Sequence, residues 1–149
     1  MTRSIVIASG VRTVIGDFGG ALAGISPCDP RAAVAREALA RAGVSGADIG
    51  RTVFGNVIHS APEDMYLSRM AAMRAGVPAT VPALTLNRLC GSGLQAVVTA
   101  AKQILLGNAD ITLAGGAESM SRSGHLLTSS RTGQKMGDAT ATDMMAGAD

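Results

Sequence analysis

Cys90 is the residue of this chain whose type and surroundings point most clearly to chemistry. It stands in residues 86–94, Leu-Asn-Arg-Leu-Cys-Gly-Ser-Gly-Leu, between an apolar, strand-like stretch and a helical pattern. A thiol at a helix start faces the positive end of the helix dipole, which favours the nucleophilic thiolate. The glycines that follow let a substrate approach the backbone closely. The sequence therefore indicates a cysteine that attacks an acyl group and then carries it.

The candidate bases for such a nucleophile are the 2 histidines. His59 follows a predicted strand and is expected near the same sheet edge as Cys90, whereas His125 lies in a region without clear periodicity. For each of them an ordinary loop or surface histidine is the alternative. Either His59 serves as the base, or the base lies outside this chain. Glu118 ends another predicted strand, so we expect it either near the site or as a capping or packing carboxylate.

Alternating strands and helices must position these residues. Short apolar runs predict strands at residues 5–8, 51–55, 83–89 and 111–114. Helical patterns cover residues 30–42, 65–75 and the stretch from Cys90 to Gly107, with Asp29 as the N-cap of the first helix and Gly43 as its end. This order predicts an α/β fold with a mostly parallel sheet and helices packed on it. Ligands of such sheets gather at the carboxyl ends of strands, where Cys90 is expected.

Composition and charge exclude several other classes of protein. A net charge of +2, with arginines interspersed among acids and 2% aromatic residues, does not predict nucleic-acid binding. The 2 cysteines are far apart and indicate neither a disulfide framework nor a metal site, so Cys28 is predicted to be incidental. No apolar run is long enough for a signal peptide or a membrane span, which predicts a cytoplasmic protein without membrane contact. Met65, Met70 and Met73 are predicted to pack in the core or at an interface.

Residues 86–97 resemble the acyl-cysteine motif of the thiolases, which comprise acetyl-CoA acetyltransferases and 3-ketoacyl-CoA thiolases. Similar stretches occur at residues 9–13, 15–20, 54–57, 115–121, 136–138 and 143–145. The similarity runs in order through all 149 residues and is closest to bacterial β-ketothiolases.

This resemblance implies a thiolase-type layered fold built from two similar halves. The chain would be the N-terminal portion only, a first half that lacks its last strand. Residues 1–118 would form an incomplete N-terminal thiolase domain, and residues 119–149 the truncated start of an inserted loop domain. Cys90 would be acylated by an acyl-CoA, and its backbone N–H would help to form an oxyanion hole. The enzyme would then make or cleave the carbon–carbon bond of a β-ketoacyl-CoA.

The resemblance also implies catalytic groups that this chain does not contain. The family uses a histidine to activate the nucleophile and a second cysteine as acid and base, both from the second half. No residue here matches them, so neither His59 nor Cys28 takes those roles, and the 149-residue chain alone is expected to be inactive. His59 itself stands where the family usually has glutamine.

Coenzyme A thioesters are the substrates that the resemblance implies, and no permanently bound cofactor is expected. The main CoA contacts would lie beyond Asp149. The partners would be acyl-CoA and CoA, and the full-length form is expected to be a homo-oligomer. Two alternatives stay open. One is a non-catalytic thiolase-like binding or interaction domain with an inert Cys90. The other is a ketoacyl-synthase-like condensing enzyme, although the sequence of residues 87–93 favours a thiolase.

Overall fold

A computed structural model describes residues 4–146. The helices are α1 (Cys28–Ala42), α2 (Leu67–Arg74) and α3 (Ser92–Leu105). The strands are β1 (Arg51–Gly55), β2 (Ala83–Leu86), β3 (Thr112–Gly116), β4 (His125–Leu127) and β5 (Ala141–Asp143). Short 3₁₀ helices occur at Gly46–Asp48, Pro62–Tyr66, Met120–Arg122 and Thr128–Arg131.

The central sheet consists of three parallel strands in the order β2-β1-β3. Thr52 of β1 lies opposite Ala83 of β2 and Leu113 of β3. Each connection between these strands contains a helix, as parallel pairing requires. The predicted α/β class with a parallel sheet is therefore confirmed. The strand before Cys90 ends at Leu86 rather than Leu89, because a turn begins at Asn87.

Successive residues of β1 pack against opposite layers, as the pleat of a strand dictates. Phe54 is 2% exposed and belongs to an apolar cluster with α1 and α2 residues such as Leu39 and Leu67. Val53 faces the other layer and packs with Ala96 and Ala100 of α3. The sheet is therefore covered by α3 on one side and by α1 and α2 on the other.

The sequence predicted the C-terminal end of α1 correctly, but not its N-terminal end. Its C-terminal end is at Gly43, whose φ of 64° is left-handed, and the Val44 N–H donates to the Leu39 carbonyl. This end was predicted correctly. The predicted N-cap was wrong, because the helix begins at Cys28 with Pro27 in the cap position and Asp29 lies inside the first turn. Asp29 pairs with Arg74 of α2 instead, at 3.1 Å.

Residues 5–8 were predicted to form a strand, and that prediction was wrong. They belong to a segment without regular secondary structure, in which Val6 and Ile7 are 80% and 82% exposed. A cavity of about 500 Å³ is lined by residues 5–11 on one side and by β3 on another. The segment therefore lacks an adjacent strand to pair with. A hydrogen bond joins the segment to α1: the Ser9 hydroxyl donates to the Ala38 carbonyl at 2.8 Å.

Helix α2 is shorter than the predicted span of residues 65–75. Met65 lies in the preceding 3₁₀ helix, and the α-helix begins at Leu67. Leu67 and Ala71 are fully buried, whereas Met65 and Met73 are 52% and 50% exposed. The prediction of core packing was wrong for these two methionines, because the helix turns its small residues toward the sheet. Their packing at an interface stays a prediction.

The region after Glu118 contains an antiparallel pair of short strands, in which His125 of β4 lies opposite Asp143 of β5. The Met145 N–H donates to the Asp143 carboxylate at 2.8 Å, and this bond holds the pKa of Asp143 below its usual value. The placement of residues 119–149 in an inserted loop domain stays a prediction. Within residues 4–146, no helix combines the length and apolar character that crossing a membrane requires.

Candidate active site

The Cys90 turn, by which we mean residues 87–92, connects the end of β2 to the start of α3. The Asn87 side-chain oxygen accepts from the Leu89 N–H at 2.9 Å. The buried Ser92 hydroxyl accepts from the Arg88 N–H at 2.8 Å and donates to the Leu89 carbonyl at 2.7 Å. Two side chains thus replace the ladder bonds that the strand would have made. They fix the chain on both sides of Cys90.

Leu89 adopts a left-handed backbone conformation, with φ of 48°. No other non-glycine residue among residues 4–146 has a positive φ. Such a conformation costs an L-residue about 1–2 kcal/mol, so the surrounding bonds must hold it. The strained residue immediately precedes Cys90, which is exposed. The turn therefore presents the thiol to solvent at the carboxyl end of the sheet, where the sequence predicted it.

The backbone amides around Cys90 divide into bonded and unbonded groups. The N–H groups of Gly91 and Ser92 donate to the carbonyls of Arg88 and Leu89 at 3.1 and 3.0 Å. Within the part of the chain that the structure describes, the Cys90 N–H has no hydrogen-bond partner. A free amide beside a thiol, at the start of a helix, is the arrangement that an oxyanion hole needs.

Gly55, the last residue of β1, lets α3 begin close to the sheet. A Cβ atom at Gly55 would lie 2.7 Å from the backbone carbon of Ser92 and 2.8 Å from its Cβ. Because one of these atoms is backbone, the Cys90 turn would have to move. We expect Gly55→Ala to lower the free energy of unfolding by about 1–3 kcal/mol, measured by urea denaturation.

Gly93 provides the matched control for this substitution. A Cβ atom at Gly93 meets nothing within 4 Å, and the residue lies in the first turn of α3. Gly93→Ala is expected to raise the free energy of unfolding by about 0.5–1 kcal/mol, because alanine favours a helix. Equal effects of the two substitutions would contradict the steric explanation.

Glu118 follows β3 and binds the loop that leaves β1. Its carboxylate accepts from the Val57 N–H at 2.8 Å, the Ile58 N–H at 3.1 Å and the Asn56 side-chain amide at 3.0 Å. Asn56 is 1% exposed, and its amide also donates to the Ala117 carbonyl. The sequence left Glu118 either as a site residue or as a capping or packing carboxylate. The structure supports the role of a capping carboxylate, because Glu118 accepts hydrogen bonds from backbone N–H groups of the loop.

Asp64 fixes the other end of the same loop. Its carboxylate accepts from the Ser60 N–H and hydroxyl, both at 2.8 Å, and from the Ala61 N–H at 3.0 Å. The fully buried Arg31 guanidinium of α1 lies 3.3 Å from the other carboxylate oxygen. Burial lowers the pKa of Arg31, and the adjacent Asp64 opposes that shift. This buried ion pair therefore ties α1 to the loop.

The model of one protein family, described as the thiolase N-terminal domain, matches residues 5–148. The chain belongs to the thiolase family. It is 60% identical over 148 residues to beta-ketothiolase BktB of Cupriavidus necator, covering 99% of this chain and 38% of that protein. It is 46% identical to an acetyl-CoA acetyltransferase of the same organism, covering 95% of this chain and 36% of the relative.

Solved thiolase structures have the same fold. The human mitochondrial 3-ketoacyl-CoA thiolase in complex with CoA has a TM-score of 0.88 at 36% identity, over 93% of this chain and 35% of that one. The Bacillus anthracis acetyl-CoA acetyltransferase has a TM-score of 0.88 at 37% identity, over 95% of this chain and 36% of its own. The chain thus spans little more than a third of the length of these thiolases.

The two histidines of this thiolase chain differ in their surroundings. His59 is exposed, in a loop whose flanking residues are held by Glu118 on one side and by Asp64 on the other. His125 is exposed in β4, within the segment that follows the sheet. Among residues 4–146, neither imidazole forms a hydrogen bond or an ion pair with Cys90. Nor does that part of the chain hold a cluster of three or more His, Cys, Asp or Glu side chains suited to a metal ion.

Sequence reasoning missed the polar residues that hold this site together. Asn56, Asn87 and Asp64 contact residues distant in the chain, which for Asp64 is Arg31, and Ser92 acts within its own turn. Asn87 had a usable signal, since an asparagine at the end of a strand favours a local side-chain turn. Asp64 had no such signal, because two acids after a proline, here Glu63 and Asp64, are typical of an ordinary helix start. The cavity beside β3 is not lined by Cys90, so we assign it no part in the chemistry.

Proposed function

We propose that this chain supplies the nucleophilic part of a thiolase. The Cys90 sulfur attacks the acyl carbonyl of an acyl-CoA, the sulfur–carbon bond to CoA breaks, and the CoA thiol leaves with the proton. The acyl group then stays on Cys90 as a thioester until a carbon–carbon bond of a β-ketoacyl-CoA is made, or the reverse sequence cleaves that bond. The observation that carries this proposal is an exposed thiol on a turn fixed by Asn87 and Ser92.

The unbonded Cys90 N–H supports a second role for the same residue. In the tetrahedral intermediate the acyl oxygen becomes negatively charged, and a preorganised backbone amide stabilises that charge. The amide does not have to reorganise during the reaction, because the bond between Leu89 and Ser92 already holds the turn. We therefore assign to Cys90 both the nucleophile and one donor of the oxyanion hole.

The remaining groups come from outside these 149 residues in this proposal. The histidine that activates the nucleophile and the cysteine that acts as acid and base belong to the second half of a full-length form. By full-length form we mean this chain continued to the length of its relatives. CoA thioesters are the substrates, no cofactor is permanently bound, and a reducing cytoplasm keeps the Cys90 thiol free. Outward apolar residues of α3, such as Leu94 at 74% exposed, favour a homo-oligomer or pairing with further chain.

Intact-mass analysis after incubation with acetyl-CoA tests the acyl-carrier role. The full-length form is expected to gain one acetyl group, because the Cys90 thiol exchanges with the thioester. Cys90→Ala is expected to gain none. An adduct that persists in Cys90→Ala, or no adduct in the parent protein, would contradict the proposal.

Two further experiments separate the alternatives. The 149-residue chain by itself is expected to cleave no acetoacetyl-CoA, because the acid and base groups are missing. Measurable cleavage by this chain would contradict the expectation that it is inactive alone. A pH series of Cys90 alkylation addresses the non-catalytic alternative. Alkylation that becomes fast only where free cysteine ionises would favour an inert binding domain over an acyl carrier.

A further inference from the structure

The ends of the three parallel strands meet around Glu118. β3 leads into Glu118, β1 leads into Asn56, and β2 leads into Asn87. The Asn56 N–H donates to the Leu86 carbonyl at 3.1 Å, and the Ala117 N–H donates to the Gly55 carbonyl at 3.1 Å. The loops that leave the sheet are therefore hydrogen-bonded to one another just before the Cys90 turn.

The Glu118 carboxylate accepts hydrogen bonds from backbone N–H groups of the loop that follows β1. Although Glu118 is exposed as a residue, both of its oxygens are used: Oε2 accepts from the Val57 N–H, and Oε1 accepts from the Ile58 N–H and the Asn56 side chain. Bonds to a charged acceptor are stronger than neutral ones. The position of the Val57 peptide is thus set largely by Glu118.

The Val57 peptide in turn contacts the Cys90 turn. Its carbonyl accepts from the Asn87 side-chain amide at 3.4 Å, while the Asn87 oxygen accepts from the Leu89 N–H at 2.9 Å. Leu89 is the residue with the positive φ that precedes Cys90. A continuous path of hydrogen bonds therefore joins the Glu118 carboxylate to the strained residue beside the thiol.

We infer that Glu118 is a positioning residue for Cys90, acting through Val57, Asn87 and Leu89. The inference rests on the proposed function of Cys90 and adds a residue that contacts neither the thiol nor its acyl group. Releasing the Val57 peptide frees the Asn87 side chain, and Leu89 then loses the bond that stabilises its left-handed conformation. The Cys90 N–H and sulfur no longer keep one fixed relative position.

Hydrogen–deuterium exchange of individual amides in this chain tests the path directly. In the parent chain the Val57, Ile58 and Leu89 amides are expected to be protected. Glu118→Gln puts an amide donor against a backbone donor, so exchange at all three is expected to rise about tenfold or more. Exchange at Val53 inside β1 is expected to stay within about twofold.

Glu63→Gln is the matched control, since Glu63 is a carboxylate of the same region that pairs with Arg74 at 3.3 Å. It is expected to leave the three amides within about twofold of the parent. Asn87→Ala opens the path from the other end and is expected to raise exchange at Leu89 alone. If Glu118→Gln fails to fold, Glu118→Asp, which keeps the charge but shortens the side chain, is expected to raise exchange at the same three amides, and unchanged exchange there would overturn the inference.

A kinetic readout separates positioning from general support of the fold. In the full-length form, Glu118→Gln is expected to slow acetylation of Cys90 about tenfold, with the apparent affinity for acetyl-CoA within about twofold. Unchanged exchange at Leu89 in Glu118→Gln, or no protection of Leu89 in the parent, would overturn the inference. A parent protein that takes no acetyl group would refute the proposed function. The exchange results would still test whether the hydrogen bonds connect Glu118 to Leu89.

Discussion

Replacing Cys90 with serine in the full-length form is expected to lower the rate of acyl transfer by about 10³-fold or more. The turn would keep its geometry, because Asn87, Leu89 and Ser92 hold it through groups other than the thiol. The loss would therefore arise from the nucleophile itself. A hydroxyl is almost wholly protonated near neutral pH and is a weaker nucleophile than a thiolate.

The kinetic signature of this substitution distinguishes a lost nucleophile from a damaged fold. A change confined to the reacting atom lowers kcat and leaves KM nearly unchanged. Steady-state cleavage of acetoacetyl-CoA, with stopped time points for low activities, measures both quantities. Cys28→Ser is the matched control, since the resemblance gives Cys28 no role, and it is expected to retain full activity. Retained turnover in Cys90→Ser would refute the assignment of the nucleophile.

The sequence predicted the place of Cys90 in the fold correctly because the signals around it are local. The apolar run before the cysteine, the small residues after it and the amphipathic helix beyond it are contained in a short segment. Each corresponds to an element that forms in the structure: β2, the turn and α3. The prediction of a helix end at Gly43 was right for the same reason, since a left-handed C-terminal residue depends on one glycine.

The failed prediction at residues 5–8 has the opposite cause. An apolar, β-branched run favours a strand, but a strand also needs a neighbour for its N–H and C=O groups. A cavity separates the segment from β3. The identity of neighbouring strands is a long-range property, which the local pattern does not contain. Asp29 illustrates the same limit, because its partner Arg74 belongs to another helix.

The residues that support the Cys90 turn were harder to predict than the position of the turn itself. Glu118 and Val57 are far apart in the chain, and their contact exists only because β1 and β3 are adjacent strands. Asp64 meets Arg31 through the packing of α1 beside the loop. Neither pair has a spacing that a sequence pattern could indicate. The position of the Cys90 turn can thus be found from a motif, whereas the hydrogen bonds that hold it follow from the fold.

Replacing Asp64 with alanine is expected to lower the free energy of unfolding by about 3–5 kcal/mol. Arg31 and Asp64 have side chains that are 0% exposed, so the substitution leaves a buried guanidinium without this carboxylate. Three donor groups of Ser60 and Ala61 lose their acceptor as well. Since a domain is stable by only about 5–15 kcal/mol in total, the variant is expected to be near its unfolding midpoint in buffer.

The comparison with Asp29 shows why burial, rather than the presence of an ion pair, sets this magnitude. Asp29 also pairs with an arginine, at 3.1 Å, but its side chain is 73% exposed. Asp29→Ala is therefore expected to cost less than about 1 kcal/mol in the same urea titration. Equal costs for the two substitutions would refute the argument. A double variant, Arg31→Met with Asp64→Leu, removes both charges together and is expected to recover part of the loss, because the cost of Asp64→Ala lies mainly in the charge that it leaves behind.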